Sequence, residues 1–347
     1  MNSNRIRKVS IGLPTRNSIR FLEERIDSIL SQTFLDWELI VVDGQSADGT
    51  WEALNALSAR DTRVKITQAA PDGIYPNFNR CIGGASGTYV YIATSDDTMA
   101  SDFLEQMVEA LDENPDCEIA HCPLRILNDT GKEMENWWQV NSLFVRSTGV
   151  TSARRHLRPA PLDGILCLLG DNIYTSVTQL LIRRSLFDRV GLYQSDWGSV
   201  GDFHWNLRAG LVASSIHVPE TWASWRMHME QATAGAGLGS VEHSSKIESM
   251  IRDVLENQIG MLDSDLARRL NGRLGCRLLD VRAFLRGLPV QNGALGRLIY
   301  ALRSALAGSE CARNYLISKA LSKANWPWSG SNGIEELVVE AGVNRGS

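Results

Sequence analysis

The chain contains no long apolar run, and this absence excludes several classes of protein. No stretch of about 18 apolar residues occurs in the sequence, so no membrane-spanning helix is predicted. No apolar segment of the secretory type precedes the first strand. Six cysteines occur without a CxxC pair or a Cys/His cluster, which argues against structural zinc and against a disulfide framework. We therefore expect a reduced, cytoplasmic protein.

The chain also has no excess of basic residues. It carries 35 Lys and Arg against 40 Asp and Glu, a formal net charge of −5 over 347 residues. Proteins that bind nucleic acid usually show a basic face, so no nucleic-acid partner is expected. The 44% hydrophobic and 22% charged content is that of an ordinary globular protein, with one large domain and an appendage or two domains.

Several catalytic signatures are missing as well. There is no GxGxxG and no GxxxxGK[ST], so neither a dinucleotide-binding nor a P-loop fingerprint is present. No GxSxG elbow and no HExxH occur either. Any chemistry must come from other residues.

Residues 8–129 alternate short β-rich runs with segments of helical periodicity. This order predicts βαβ units, an α/β fold and a mostly parallel sheet flanked by helices. Ligands of such sheets bind beyond the carboxyl ends of the strands. Three polar strand ends, at residues 14–17, 43–44 and 95–97, are therefore expected to lie along one edge.

The pattern loosens between residues 130 and 175, and then predicts a helix that carries Asp202 in its first turn and one strand over 215–228. GAGLG at 235–239 predicts a flexible joint, followed by helices to about residue 325. The predicted organisation is a first domain over 1–235, with halves at about 8–129 and 130–235, and a mostly helical C-terminal region over 240–347.

Asp96 and Asp97 end a β-rich run side by side, where like charges repel and lose hydration. Either they cap the following helix or they hold Mg²⁺ or Mn²⁺ against a diphosphate, since hard cations prefer carboxylate and phosphate oxygens. Asp43 fits a turn or the N–H edge of a pyrimidine base. Considered alone, Asn79 is typical of the surface of a helix, and His228 is typical of a structural histidine.

Taken together, these stretches resemble the successive motifs of family 2 glycosyltransferases with the GT-A fold. The resemblance covers about residues 8–235, and the segments that carry it are VSIGLPTRN, WELIVVDGQSADGT, DGIYPNFNRCIGGASGTYVYIATSDD, LLIRRSLFDRVGLY, GDFHWNLR and WRMHMEQAT. It implies a nucleotide-sugar donor, a divalent metal and inversion at the anomeric carbon.

The resemblance also implies roles for individual residues. The nucleotide-binding positions are Thr15, Arg16, Asn17, Asp43, Asp72, Asn79 and Asp96, with Asp43 on a uracil or thymine base and Asp96 on the ribose or the metal. Asp97 is the principal metal ligand. Asp202 matches the general base at the start of the acceptor-side helix. Arg226 and His228 match a closing segment that contacts diphosphate or metal.

The chain departs from the family pattern at four positions. Arg16 stands where an aromatic residue is frequent, so a base would stack on a guanidinium. Pro76 and Cys81 replace commoner residues, and His204 stands where a second acid is often seen, next to the expected base.

Two other classes of protein compete with a glycosyltransferase. A nucleotidyltransferase would show a Gly-rich, basic first loop, which PTRNSIR is not. A non-catalytic sugar-nucleotide-binding protein has no need to retain Asp43, Asp96, Asp97 and Asp202 together. We expect a UDP- or dTDP-sugar donor and a saccharide or lipid-linked acceptor, in cell-surface polysaccharide or glycolipid assembly.

The C-terminal tail is basic although the whole chain is acidic. Between Ala267 and Trp328 there are eleven Lys or Arg and two acids. One hypothesis is peripheral contact with the inner membrane face. The alternative is a helical subdomain that packs on the catalytic domain or on a second subunit of a homo-oligomer.

Overall fold

The structure is a computed structural model that describes residues 7–134, 153–169, 173–229, 231 and 241–264. Its strands are β1 Val9–Thr15, β2 Trp37–Asp43, β3 Val64–Gln68, β4 Tyr89–Ile92, β5 Cys117–His121, β6 Leu124–Leu127, β7 Glu133–Met134, β8 His156–Arg158, β9 Leu180–Arg183, β10 Ser214–His217 and β11 Ala223–Arg226. Its helices are α1 Ile19–Leu30, α2 Thr50–Ser58, α3 Ile74–Gly84, α4 Phe103–Glu113, α5 Leu162–Leu169, α6 Ser185–Val190, α7 Gly201–Val212, α8 Val241–Asp253 and α9 Ile259–Leu262.

An eight-stranded sheet in the order β3-β2-β1-β4-β9-β5-β10-β8 forms the centre of the fold. The pairs β3/β2, β2/β1, β1/β4 and β5/β10 are parallel, whereas β9 and β8 run antiparallel to their neighbours. Most strands therefore point in one direction, and the predicted mostly parallel sheet flanked by helices is confirmed. A smaller sheet of three strands, in the order β11-β6-β7, lies beside it.

Burial explains why the first strands form the middle of the sheet. Every residue of β1 and β2 is buried, as expected for parallel strands covered by helices on both faces. From α1, Phe21, Leu22 and Ile29 are buried, at the spacing of one helical face. The core that joins β1, β2 and β4 thus fixes the carboxyl ends of these strands along one edge.

Two prolines mark the points at which the chain passes from the large sheet to the small one. The run over 215–228 is two strands, β10 in the large sheet and β11 in the small one, separated around Pro219. Pro123 separates β5 from β6 in the same way. The prediction of a single strand was wrong because proline has no N–H to donate to a ladder, so the chain leaves one sheet and enters the next.

The described part of the C-terminal region consists of α8, a π-helical turn over Val254–Gln258, and α9, which ends at Leu262. Met250, Ile251 and Val254 are buried, and Gln258 Nε2 donates to His204 Nε2 on α7 at 3.1 Å. This part of the C-terminal region therefore packs on the helix that carries Asp202. The basic tail predicted between Ala267 and Trp328 lies outside the described residues. Within the described part, no helix is long and apolar enough to cross a bilayer.

Candidate active site

The carboxyl ends of β1 and β2 are joined by the side chain of Asp43. Its Oδ1 accepts a hydrogen bond from Thr15 Oγ1 at 3.0 Å, and its Oδ2 accepts from Ser46 N at 3.0 Å and Gln68 Nε2 at 3.2 Å. Asp43 is fully buried, and the Ser46 hydroxyl also donates to Oδ1. The Asp43 carboxylate thus holds the two strand ends together. Its predicted contact with a nucleotide base stays a prediction.

The two loops after β1 and β2 are locked to each other by Asn17. Its Oδ1 accepts from Ala47 N at 2.9 Å, while Asn17 N donates to Ser46 Oγ at 2.8 Å. Asn17 and Gln45 have left-handed φ values of 49° and 59°, in the region where Asn is tolerated better than most residues. Asn17 therefore shapes the edge at which the predicted nucleotide would bind.

Arg16 lies at the same edge and is exposed. A Cβ on Gly44 would lie 3.5 Å from both Cβ and Cδ of Arg16, so the stem of Arg16 runs along the Gly44 backbone. The side chain is exposed to solvent. The guanidinium is thus accessible for the stacking that the sequence predicts in place of an aromatic residue.

Asp72 forms a bidentate ion pair with Arg80 across the first turns of α3. Nη1 and Nη2 of Arg80 donate to Oδ1 and Oδ2 of Asp72 at 2.7 and 2.6 Å, and Nη1 also donates to Asn77 Oδ1 at 2.7 Å. The hydrogen bond from Arg80 holds the pKa of the exposed Asp72 below its usual value. A nucleoside contact by Asp72 would have to share or break this pair.

Asn79 lies against the protein backbone rather than the strand edge. Asn79 Nδ2 donates to Tyr193 O at 2.8 Å, and Tyr193 N donates to Asn79 Oδ1 at 3.0 Å. Both ends of the amide therefore have backbone partners. A direct nucleotide contact by Asn79 stays a prediction, and the observed contact anchors the segment before α7.

The strand-terminal carboxylates meet the segment after β11. Asp96 Oδ2 lies 2.9 Å from His228 Nε2, and Asp97 Oδ1 accepts from Arg226 N at 2.6 Å. Thr94 Oγ1 also donates to Asp97 Oδ2. The structure thus brings together three of the residues predicted for the metal and the ribose, namely Asp96, Asp97 and His228.

Backbone pairing beside these residues explains how they come together. Ser224 N donates to Thr98 O at 2.8 Å, and Ala100 N donates to Trp222 O at 3.0 Å. The loop after β4 is therefore hydrogen-bonded to β11. This pairing brings Arg226, the last residue of β11, and His228, two residues further on, to Asp96 and Asp97.

Arg226 is buried, and its guanidinium has protein partners. Its Nε donates to Asp96 O at 2.8 Å, and its Nη2 forms an ion pair with Glu24 Oε2 on α1 at 2.6 Å. The guanidinium also lies 5.0 Å from the ring centre of Phe21, against which His228 packs as well. These contacts fix the Asp96 backbone, while the predicted diphosphate contact of Arg226 stays a prediction.

The electrostatics of the cluster suit a divalent cation. Burial and the adjacent charge of Asp96 raise the pKa of Asp97, and the nearby Arg25 offsets this only in part. No group of three or more His, Cys, Asp or Glu is arranged to enclose a metal within the described ranges. Asp96 and His228 are instead two adjacent side chains that can bind a metal, with the carboxylate of Asp97 beside them. This arrangement fits Mg²⁺ or Mn²⁺ whose remaining ligands are substrate phosphates.

Asp202 lies in the first turn of α7 and touches α3. Phe203 N donates to Asp202 Oδ1 at 2.7 Å, Asp202 N donates to Tyr75 Oη at 3.1 Å, and Tyr75 Oη lies 3.4 Å from Oδ1. Burial raises the pKa of Asp202, although these donors act against it. A carboxylate with a raised pKa is a stronger base than an exposed one, as general base catalysis requires.

Three residues of this region carry little signal in the sequence. Tyr75 reaches Asp202 across 127 residues, and Arg25 and Glu24 reach the Asp96–Asp97 end of β4 from α1. The only hint of Tyr75 in the sequence is its position two residues after Gly73. In the structure Gly73 has a φ of 116° and precedes α3. His204 is buried and turned towards Gln258, and burial, with Arg208 nearby, lowers its pKa to about 3. It does not take the place of a second acid beside Asp202.

Comparison with known proteins identifies the family of the chain. Residues 10–191, more than half of the chain, match the model of the family "Glycosyl transferase family 2". The glycosyltransferase EpsJ of Bacillus subtilis is 34% identical over 106 residues, which are 30% of this chain and 31% of EpsJ. Hyaluronan synthase of Pasteurella multocida is 29% identical over 133 residues, which are 38% of this chain and 14% of the synthase. The chain thus spans about a third or less of the length of these relatives.

Two solved structures share the fold at low sequence identity. S. aureus TarS 1–349, in complex with UDP, has a TM-score of 0.54 and 15% identity, over 98% of this chain and 93% of TarS 1–349. The mannosyltransferase PcManGT from Pyrobaculum calidifontis, in complex with GDP-Man and Mn²⁺, has a TM-score of 0.53 and 18% identity, over 98% of this chain and 87% of its own. They confirm the predicted GT-A fold. The family model, which matches more than half of the chain, shows that the chain belongs to glycosyl transferase family 2.

Proposed function

We propose that the protein is an inverting glycosyltransferase that moves a sugar from a nucleoside-diphosphate sugar to a hydroxyl of an acceptor. The observation that carries this proposal is the meeting of Asp96, Asp97 and His228 at the carboxyl end of β4, at 2.9 Å between Asp96 and His228. Two carboxylates and an imidazole at the ligand-binding edge of an α/β sheet suit a metal–diphosphate group.

Asp97, His228 and Asp96 are the residues that would hold the divalent cation, Mn²⁺ or Mg²⁺. Bound there, it would supply positive charge to the departing diphosphate. The contacts of Arg226 with Asp96 O and with Glu24 keep these ligands in place. The complex of PcManGT with GDP-Man and Mn²⁺ supports this part of the proposal.

Asp202 is the proposed general base. Its carboxylate takes the proton of the acceptor hydroxyl while the hydroxyl oxygen attacks the anomeric carbon. The bond between that carbon and the diphosphate breaks on the opposite face, and the nucleoside diphosphate leaves. A single displacement of this kind inverts the anomeric configuration.

The proposed nucleotide site lies on the rim formed by Thr15, Arg16, Asn17, Asp43 and Asp72. Exposure of Arg16 along Gly44 supports stacking of a base on its guanidinium. Asp43 and Asn17 hold the two loops that form this rim. Complexes of TarS with UDP and UDP-GlcNAc support a uridine nucleotide, and a dTDP-sugar has the same base edge.

The acceptor is proposed to be a saccharide or a lipid-linked saccharide, in the assembly of a cell-surface polysaccharide or glycolipid. Similarity to hyaluronan synthase supports a polysaccharide product. We place the enzyme in the cytoplasm, with the basic segment after Ala267 as a peripheral contact for anionic membranes. Flotation with anionic vesicles at low salt tests that contact, and the absence of co-flotation would remove it.

A donor screen tests the proposed function directly. UDP-, dTDP- and GDP-sugars are incubated with the protein and Mn²⁺, and release of nucleoside diphosphate and thermal stabilisation are measured. We expect release and stabilisation with a UDP- or dTDP-sugar. Release of pyrophosphate from a nucleoside triphosphate and a sugar phosphate would indicate a nucleotidyltransferase instead. Stabilisation without turnover, with acceptor saccharides present, would indicate a binding protein.

A further inference from the structure

The hydroxyl of Tyr75, on α3, meets Asp202, on α7. Tyr75 Oη accepts from Asp202 N at 3.1 Å, so its own hydrogen is available for Asp202 Oδ1, 3.4 Å away. Phe203 N donates to the same Oδ1 at 2.7 Å. Two donors therefore converge on one oxygen of the carboxylate, and no described residue donates to the other, Oδ2.

We propose that Tyr75 is the positioning residue of Asp202: with the amide of Phe203 it holds Oδ1, and it leaves Oδ2 as the atom that accepts the proton of the acceptor hydroxyl. This inference rests on the proposed role of Asp202 as general base. An acid–base group works only when its reactive atom is oriented towards the proton that it takes, and one fixed oxygen provides that orientation.

The ring of Tyr75 is held in one place by its neighbours. A Cβ on Gly201 would lie 2.6 Å from Cε2 of Tyr75, so the absence of a side chain at 201 lets the ring reach α7. The ring lies nearly parallel to that of Tyr193, with centres 6.0 Å apart, and edge-on to Phe78 at 5.8 Å. Tyr75 is buried, with 8% of its surface exposed.

Asn79 completes this support from the next turn of α3. Its amide makes two hydrogen bonds with the backbone of Tyr193, which fix the segment that carries the stacked ring. Asn79, Tyr193 and Tyr75 thus form one chain of contacts that ends at Asp202.

Few ionisable groups surround the Asp202 carboxylate. On its own helix His204 and Arg208 are buried and paired elsewhere, with Gln258 and with the Val190 and Leu192 carbonyls. Among the described residues of the packed segments, Tyr75 acts on the pKa of Asp202, and burial, followed by the charge of Asp202, raises the pKa of Tyr75 and of Tyr193. Burial raises the pKa of Asp202, and the Tyr75 hydroxyl lowers it by stabilising the charged form.

Tyr75→Phe in the full chain tests the inference, because it keeps the ring and removes the hydroxyl. The pKa of Asp202 is measured by ¹³C-carboxyl NMR, with its signal assigned by loss in Asp202→Asn. The pH profile of UDP release from UDP-N-acetylglucosamine with Mn²⁺, or from the donor selected in the screen, is measured in parallel. We expect the pKa of Asp202 to rise and the acid limb of the UDP-release profile to move to higher pH. We also expect kcat to fall by about 10- to 100-fold. UDP affinity should not change.

Tyr89→Phe is the matched control. It removes another buried hydroxyl that donates to a carboxylate, Asp112, but Tyr89 begins β4 at the opposite end of that strand from Asp96. It should lower the melting temperature and leave the pKa of Asp202 and the acid limb unchanged.

Tyr75→Phe with a wild-type Asp202 pKa and wild-type acid limb would overturn the inference. Equal shifts in Tyr75→Phe and Tyr89→Phe would overturn it too, since they would indicate a general loss of structure. Retained transfer in Asp202→Asn would instead remove the proposed base, while the NMR titration still reports on the contact with Tyr75.

Discussion

Asp96 and His228 are separated by 132 residues, yet Asp96 Oδ2 and His228 Nε2 lie 2.9 Å apart. The pair exists because the loop after β4 is bonded to β11, and because Arg226 binds the Asp96 carbonyl and Glu24. His228 is nearly buried, with 6% of its side chain exposed, whereas 22% of Asp96 is exposed. One proposed ligand, His228, is thus fixed, and the other, Asp96, faces the solvent from which a metal and a diphosphate would arrive.

Removal of the His228 imidazole should weaken metal binding before it affects the fold. We expect His228→Gln to reduce Mn²⁺ affinity in the presence of UDP by at least about tenfold, measured by calorimetry or electron paramagnetic resonance. Asp97→Asn should do the same and abolish turnover. Asp129→Asn, at an exposed ion pair with Arg20, is the control and should bind Mn²⁺ normally. Full turnover in excess chelator would remove the metal from this account.

Asp202→Asn should increase the stability of the fold at neutral pH. Burial raises the folded-state pKa of Asp202 above its ordinary value, so the ionised carboxylate is less favourable in the folded than in the unfolded chain. The neutral amide avoids this penalty, and we expect a higher free energy of unfolding than that of the wild type at pH 7, measured by denaturant unfolding. The gain should shrink as pH falls from the folded pKa towards 3.8, because the carboxyl is protonated first in the folded chain and only below 3.8 in both states. A loss of stability at pH 7 would mean that the main effect of the ionised carboxylate is to stabilise the N-terminus of α7.

Glu38 should support stability until the solution is strongly acidic. Its carboxylate accepts from Ser10, Ser86 and Lys65; burial alone would raise its pKa, but these bonds lower it to about 2. The unfolded value is 4.5, so this contribution is complete above pH 4.5 and is lost as pH falls towards 2. We expect Glu38→Gln to lose about 3 kcal/mol at pH 7 by denaturant unfolding. Glu109→Gln, an exposed acid, should lose almost nothing, and equal losses would contradict the network's role.

Stability should begin to fall at milder acidity because of His121. Its Nδ1 lies 3.1 Å from His217 Nδ1, and its Nε2 is buried without a partner among the described residues. Burial, with Arg158 and His217 nearby, holds the pKa of His121 well below 6.5, so protonation favours the unfolded chain. We expect the free energy of unfolding to fall as pH drops below 6.5. His121→Phe should reduce that limb, to which the lowered pKa of His204 also contributes, and an unchanged limb would assign it wholly to other groups.

The sheet and the edge formed by the carboxyl ends of its strands could be predicted from the sequence because both depend on local patterns. The fully buried β1 and β2 and the polar residues that follow them identify parallel strands and their carboxyl ends. Pro219 shows where this reasoning failed, since the single strand predicted over 215–228 is divided there between two sheets.

The partners of individual side chains could not be predicted in the same way. Asn79 binds the Tyr193 backbone, Arg226 binds Glu24, and Tyr75 meets Asp202, each across more than a hundred residues. Such contacts depend on how helices lie on the sheet, which no local pattern specifies.

The most direct test of the account is the transfer rate of Asp202→Asn, measured beside its affinity for UDP. The Asn side chain has nearly the same shape but cannot take a proton, so transfer to acceptor should fall by about 10²- to 10⁴-fold. UDP affinity with Mn²⁺ should remain that of the wild type, because the proposed nucleotide and metal residues lie on other elements. A near-normal transfer rate would contradict the assignment of Asp202 as the base.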